Sequence, residues 1–418
     1  MSLFGPGEGT ATVGGRELPV DADRARMRAE RHARLQDQLA AQELDGLVLL
    51  GTSAVAYATG AAMPGCDSGR AALLRAVAVV VAGDEHPHLF TPWPEGAPPG
   101  LPADHVHPAA APDLDDGAAA LAASLGVLFA GGSRLGCDEV PHPLARALDG
   151  VGARLVPASG VLGPAKLCKT VDELACIRRA QHVNEQAMLD VHPLLRPGVT
   201  QTDLSATFLR RVVELGADLN GIDPIWQVMP RSLADGPWTV HGDVAFPTAS
   251  APRALAGGDV IWVDTGIHVG GYASDFGRTW IVGDDPRPSA RQLEQFDRWR
   301  AVMAAVLSVC KPGVSALDLG RAAVAADAAR SGGRRPWIEH FYLAHGVGTE
   351  SAEMPLVGTD LGDAFDEQLV LAPGMVLVLE PVIWDDGAAG YRSEDILAIT
   401  DDGWAALSDH PYDPFGPA

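Results

Sequence analysis

The sequence predicts an α/β protein in two parts, residues 1–160 and 161–418. Three observations carry that expectation. Across the first part, short apolar runs alternate with amphipathic stretches, as in a mixed α/β layer. Ser159 to Pro164 is small and turn-like, which places a linker there. The second part sets helix-period segments beside four longer apolar strands that carry acidic residues.

In chain order, Asp21 to Leu44 reads as an amphipathic helix with Asp21 as N-cap. Asp45-Gly46 leads into a strand over Leu47 to Leu50, closed by Gly51. Ala76 to Ala82 is a second strand, Leu89-Phe90 a third, and Asp113 to Leu125 a helix. Arg134 to Cys137 and Arg154 to Val156 are further strands, separated by a helix around Leu144 to Leu148. The Pro-rich run Pro92 to Pro102 is a surface loop. Beyond the linker, Val171 to Leu194 is a helix whose acidic first turn suits the macrodipole, stopped by Pro197-Gly198. Thr200 to Leu215, Ser289 to Val309 and Val314 to Ala329 are helices. The strands of this part are Val260 to Ile267, Tyr272 to Val282, Val376 to Ile383 and Tyr391 to Ile399. No repeat at a period of about 20–50 residues interrupts this order.

Composition narrows the function. Hydrophobic residues make up 47% and charged residues 20%, enough apolar content for a large core. No apolar run approaches the ~20 residues that cross a bilayer. Met1 to Val20 lacks the basic start and apolar stretch of a secretion signal. The five cysteines are scattered with no Cys-x-x-Cys, which fits a reducing cytoplasm better than a disulfide framework or thiolate zinc site. A net charge of −23 argues against nucleic acid and anionic membranes as partners. A handful of ligands explains little of such an excess, so most acids are expected on the solvated surface.

The chemistry concentrates in four segments. Val260 to Ile267 contains Asp264; Gly270-Gly271 follows; Tyr272-Ala273-Ser274-Asp275 comes next. If the turn is centred between Val269 and Gly270, Asp264 and Asp275 face each other. Like charges placed so are destabilising and need a cation, unless one aspartate caps a turn and the other faces solvent. His345 sits in His345-Gly346-Val347-Gly348, where a lone histidine is more often structural. Glu380 ends the apolar run Gly374 to Leu379, where an unpaired charge is costly. Glu394 enters another such run, Gly390 to Leu397. Four carboxylates and one imidazole form a hard donor set suited to a pair of manganese, iron, cobalt or zinc ions.

Those motifs resemble the pita-bread-fold metalloenzymes, which include aminopeptidase P, prolidase, methionine aminopeptidase and creatinase. The resemblance spans Lys166 to Asp401, and Leu47 to Gly60 is similar to the creatinase-type N-terminal domain. It implies an α/β (α+β) fold: a creatinase-like domain over 1–160 and a pita-bread catalytic domain over 161–418. The family order of Asp, Asp eleven residues on, His, Glu and Glu falls on Asp264, Asp275, His345, Glu380 and Glu394. By that resemblance Asp264 binds one metal, His345 and Glu380 the other, and Asp275 and Glu394 bridge. Two ions, manganese first with cobalt, iron or zinc as alternatives, would lower a shared water's pKa toward ~7, with Glu380 handling its proton. Arg392 matches an arginine of the aminopeptidase P branch that faces the substrate or supports the metal ligands. His241 lies where the peptidases carry a substrate-assisting histidine, with an insertion over Asp243 to Pro252. The resemblance also implies a homodimer.

The pattern breaks in two places. Seven positions after His345 the peptidases carry a histidine, and here stands Ala352; four positions before, here stands Phe341, with His340 one place off. One branch of the fold, the lyases acting on dimethylsulfoniopropionate, also lacks the later histidine. The run His345 to Gly348 and the ending Ser408 to Pro414 are similar to that branch, whereas Gly236 to Gly242 with Trp238 and His241 is not. The expected activity is metal-dependent hydrolysis of short Xaa-Pro peptides. A lyase-like or creatinase-like reaction on the same metals is the alternative, and a non-catalytic binding relative the third.

Overall fold

The computed structural model describes residues 11–62, 70, 73–229, 254–284, 287–335, 342–385 and 388–410. Its contacts divide the chain into two compact units: Asp23–Thr170, and Val171–Ala418 together with the residues up to Ala22. The hairpin of Thr12–Val13 (β1) and Arg16–Glu17 (β2) belongs to the larger unit. The Asp401 carboxylate fixes its turn by accepting from the N–H groups of Gly14 and Gly15 at 2.7 and 2.9 Å.

In the smaller unit the first helix is Arg24–Ala41 (α1). Its cap is Asp23, two residues beyond the expected Asp21; the carboxylate accepts from Ala25 N and Arg26 N at 3.0 Å. Then come Gly46–Leu49 (β3), Thr52–Thr59 (α2), Val77–Val81 (β4), His88–Phe90 (β5) and Val106–His107 (β6). Asp115–Leu128 (α3), Arg134–Cys137 (β7), His142–Gly150 (α4), Arg154–Pro157 (β8) and Ser159–Leu167 (α5) complete the unit. The strands form one mixed sheet in the order β6-β5-β4-β3-β7-β8. Alternation along β3 explains its burial on both faces. Leu47 and Leu49 pack with α1, α2 and α5, while Val48 packs with α3 and α4. The segment Ser159 to Pro164, expected as a linker, is the first part of α5, because Val161 and Ala165 are buried against the sheet. The two units divide instead at Thr170.

The larger unit opens with Val171–Val191 (α6) and Gln201–Glu214 (α7), the latter started by a Thr200–Asp203 capping box. Leu219–Val228 (β9), Val260–Val269 (β10), Tyr272–Ala273 (β11) and Phe276–Ile281 (β12) form a sheet in which β10 pairs with the other three. The odd-numbered residues Ile261, Val263 and Ile267 pack with Val183, Ala187, Leu204 and Phe208 from the two helices. The even-numbered face is thereby left for the site. Ala290–Val309 (α8) and Ala316–Ser331 (α9) follow, each capped by the preceding serine. Ala344–Gly346 (β13), Glu353–Val357 (β14), Asp363–Gln368 (α10) and Val376–Leu379 (β15) come next. The last strands are Val382–Asp385 (β16), Ala389–Arg392 (β17), Asp395–Ile399 (β18) and Trp404–Ala406 (β19). A second sheet runs β14-β13-β15-β18-β19, and β16-β17 is a separate ribbon. Among the described residues, no helix is long and apolar enough to cross a membrane.

Candidate metal centre

Asp264 stands mid-way along β10, paired with Ile225 on β9 and Gly277 on β12. The sequence suggested that it faces Asp275. It does not, because the hairpin turns on Gly270 and Gly271, whose φ of 58° and 81° suit a two-residue turn between the partners Val269 and Tyr272. That register differs from the expected one by two residues. An even shift preserves the face, so Asp275 remains beside Asp264 as a diagonal neighbour.

Asp275 lies in the break between β11 and β12, and amides of α6 hold that break. Asn184 donates to Thr265 O at 2.8 Å and to Ser274 Oγ at 3.0 Å, while Gln181 Oε1 accepts from Asp275 N at 3.2 Å. These two helix residues escaped the sequence reading. Their signal was there, as uncharged amides within the buried side of an amphipathic helix.

His345 lies on β13 with Nδ1 2.8 Å from Gly346 O. A carbonyl only accepts, so Nδ1 carries the proton and Nε2 presents its lone pair. That nitrogen is 3.2 Å from Asp275 Oδ2 and 3.4 Å from Glu380 Oε1. Glu380 follows β15, its backbone N–H donating to Leu343 O, and Pro381 then ends the strand. Glu394 lies between β17 and β18, its N–H donating to Gly277 O at 3.1 Å. Gly277 has to be glycine: a Cβ there would sit 2.5 Å from the Glu394 carboxyl carbon.

The structure therefore brings the five residues together. Asp264, Asp275 and Glu394 each offer an oxygen within 4.8 Å of the others. His345 joins through Asp275 and Glu380. Arg392 is also inside the cluster: its Nη2 is 3.0 Å from Glu394 Oε2 and 3.7 Å from Asp264 Oδ2, and it also contacts Glu380 Oε2. Its guanidinium lies over the Trp262 ring, 4.0 Å from the centroid. His241, Trp238, His340 and Phe341 lie outside the described residues. Ala352 lies in an exposed bend before β14.

Electrostatics follow from burial. Removal from water pushes Asp264 up to about 6, although Arg392 opposes the shift. Burial, then the neighbouring carboxylates, raise Asp275 and Glu394 well above the usual carboxylate range. Burial alone would lower Arg392, but Glu380, Glu394 and Asp264 together hold it above its ordinary value. Tyr342 is raised by burial and by Glu380 and Asp275. One guanidinium does not balance four carboxylates. Three buried oxygens, Asp264 Oδ1, Glu380 Oε1 and Glu394 Oε1, have no hydrogen-bond partner among the described residues. Orphaned anionic oxygens around a common space are the donor set a hard divalent cation takes, so these residues fit a metal pair.

The profile of metallopeptidase family M24 matches residues 175–401, over half of the chain. The chain belongs to metallopeptidase family M24. Enzymes of this family are dinuclear metalloenzymes, and residues 31–164 of this M24 protein match the creatinase/prolidase N-terminal domain. Among its relatives is the "Probable dipeptidase PepE" of Mycobacterium tuberculosis, 29% identical over 66% of this chain and 68% of that protein. The dimethylsulfoniopropionate lyase DddP of Roseobacter denitrificans is 29% identical over 94% of this chain and 88% of that one. In fold, the M24 chain is similar to the Xaa-Pro dipeptidase from Bacillus anthracis. That likeness has a TM-score of 0.72 and 21% identity, covering 93% of this chain and 99% of that chain. The pita-bread architecture expected from the motifs is thus the observed one.

Proposed function

We propose that this M24 protein is an Xaa-Pro peptidase whose ligands for two divalent ions are Asp264, Asp275, His345, Glu380 and Glu394. The observation that carries the reading is the set of buried, unpartnered carboxylate oxygens converging from separate strands. When bound, such ions supply a hydroxide nucleophile at neutral pH and polarise the scissile carbonyl. Glu380, with Oε1 unpartnered beside His345 Nε2, takes the proton lost by the attacking water and delivers it to the leaving nitrogen. Asp275 and Glu394 would serve both ions, Arg392 orients the carboxylates and the substrate, and His241 assists the substrate carbonyl. The oxygen-rich donor set favours manganese, with cobalt, iron or zinc as alternatives. A homodimer in the cytoplasm completes the reading.

One observation favours a second reading. The similarity to DddP extends over 94% of the chain, which supports a non-peptide substrate on the same metals. Product analysis separates the two. The manganese-loaded chain should release proline from Ala-Pro and leave dimethylsulfoniopropionate and creatine intact. Conversion of either small molecule with no cleavage of Ala-Pro would replace the peptidase reading.

A further inference from the structure

Gln227 lies on β9, only 6% exposed, and neither its Oε1 nor its Nε2 has a hydrogen-bond partner among the described residues. Both ends of a buried amide left unpaired is a costly arrangement, of the kind a protein keeps where a ligand completes it. Register fixes which way the amide points. Gln227 pairs with Trp262 of β10, and direct cross-strand partners share a face. Its neighbours Trp226 and Val228 pack the other way, into the core beneath the sheet. Trp262 pairs on its far side with Thr279, whose hydroxyl accepts from Arg392 N at 2.9 Å, and the Arg392 guanidinium covers the Trp262 ring. Gln227, Trp262 and Thr279 thus form one row across the face that carries Asp264, and the adjacent row is Ile225, Asp264 and Gly277.

We infer that Gln227 is a substrate-reading residue whose amide pairs with the α-aminoacyl head of a short peptide. The inference rests on the peptidase reading and deepens it. A side-chain amide offers one acceptor and one donor side by side. An N-terminal aminoacyl group offers the complement: an amine that donates to Oε1 and a carbonyl oxygen that accepts from Nε2. A substrate without an N–H group leaves Oε1 buried and unpaired, and a site built around a polar group rejects analogues that lack it.

The test uses the full manganese-loaded chain, with Gln227→Met and Gln227→Leu, on Ala-Pro and on propionyl-Pro, which lacks only the amine. Propionyl-Pro is read as a substrate or as a competitive inhibitor. Both variants should raise KM for Ala-Pro by about 10–100-fold, the size of lost hydrogen bonds to a charged group. Their handling of propionyl-Pro should stay within a few-fold of wild type. Their Tm should hold or rise, since an unpaired buried amide has been replaced by apolar atoms. An unchanged KM for Ala-Pro overturns the inference. So does a lowered Tm with equal losses on both substrates, which would assign Gln227 to packing. If the wild type itself cleaves no peptide, the peptidase reading falls and takes this inference with it, a result distinct from an active wild type with indifferent variants.

Discussion

Gly277 makes room for the centre by having no side chain. Glu394 fills the space above it, so Gly277→Ala forces the carboxylate aside by placing a Cβ 2.5 Å from its Oε1. Disturbing the surroundings that position a ligand costs roughly 10–100-fold in metal affinity. We expect Gly277→Ala to keep its fold and weaken manganese binding by about that factor, as isothermal titration would read directly. Asp275→Ala is the harsher change, because a carboxylate in the proposed bridging role would serve both ions. Elemental analysis should find it depleted of both, and a full complement of two would refute bridging. His241→Ala should keep its metal while losing about 10²–10⁴-fold in turnover, the usual contribution of one acid–base or oxyanion group. Turnover within a few-fold of wild type would reduce His241 to a bystander. At this scale the sequence was most legible: acids inside apolar runs stand out because burial of charge is costly. Gln227 was not legible, since an amide near the end of a strand carries no such alarm.

Elements were legible as types and less so as boundaries. The expected strand Tyr272 to Val282 is broken at Asp275, Val376 to Ile383 at Glu380-Pro381, and Tyr391 to Ile399 at Ser393-Glu394. Each break falls where a candidate ligand sits. A hydrophobic pattern of period two continues through such a point, because the flanking residues stay buried while the chain leaves one sheet for another at Glu380-Pro381 and Ser393-Glu394, or resumes along the same sheet at Asp275. The change of sheet is a tertiary event, and only Pro381 marked it locally. In the smaller unit, β5, β6 and the turn that leads into β6 bring three histidines together. His88 Nδ1 is 3.0 Å from His107 Nε2, and His105 stacks on His88 at 4.0 Å. Burial and then His105 and His107 lower His88, while Asp84 at 3.6 Å pulls the other way. Burial and then His105 lower His107, against Asp104. A histidine whose folded pKa lies below its unfolded value of 6.5 lends stability above pH 6.5. That stability is lost as pH falls through the lowered folded value. The urea midpoint should therefore drop between pH 7 and pH 5, and His88→Gln should flatten the slope. An unchanged slope would show that the stack does not govern acid lability.

For the whole molecule, charge and metal act on the same account. A chain of net charge −23 repels itself, and the centre concentrates four of those carboxylates in one largely buried cluster. Without ions, burial raises Asp264, Asp275 and Glu394 above the usual carboxylate range, so ion uptake should release protons and weaken as pH falls toward 6. Binding to the folded state alone stabilises it by about 2.7 kcal/mol per site when the free ion stands at 100 times its Kd. Because every candidate ligand belongs to the larger unit, that stabilisation has a defined address. Hydrogen exchange on the full chain, with manganese and after chelation, should locate it. Amides of Val260–Val269, Phe276–Ile281, Ala344–Gly346, Val376–Leu379 and Asp395–Ile399 should slow by about 100-fold for each ion bound, the rate equivalent of that free energy. Gly46–Leu49 and Val77–Val81, in the sheet of the smaller unit, should change far less. Uniform slowing across both groups of strands would mean that the metal acts on global unfolding. No slowing in the first group would mean that these strands do not hold the ions, and the metal assignment would fail with it.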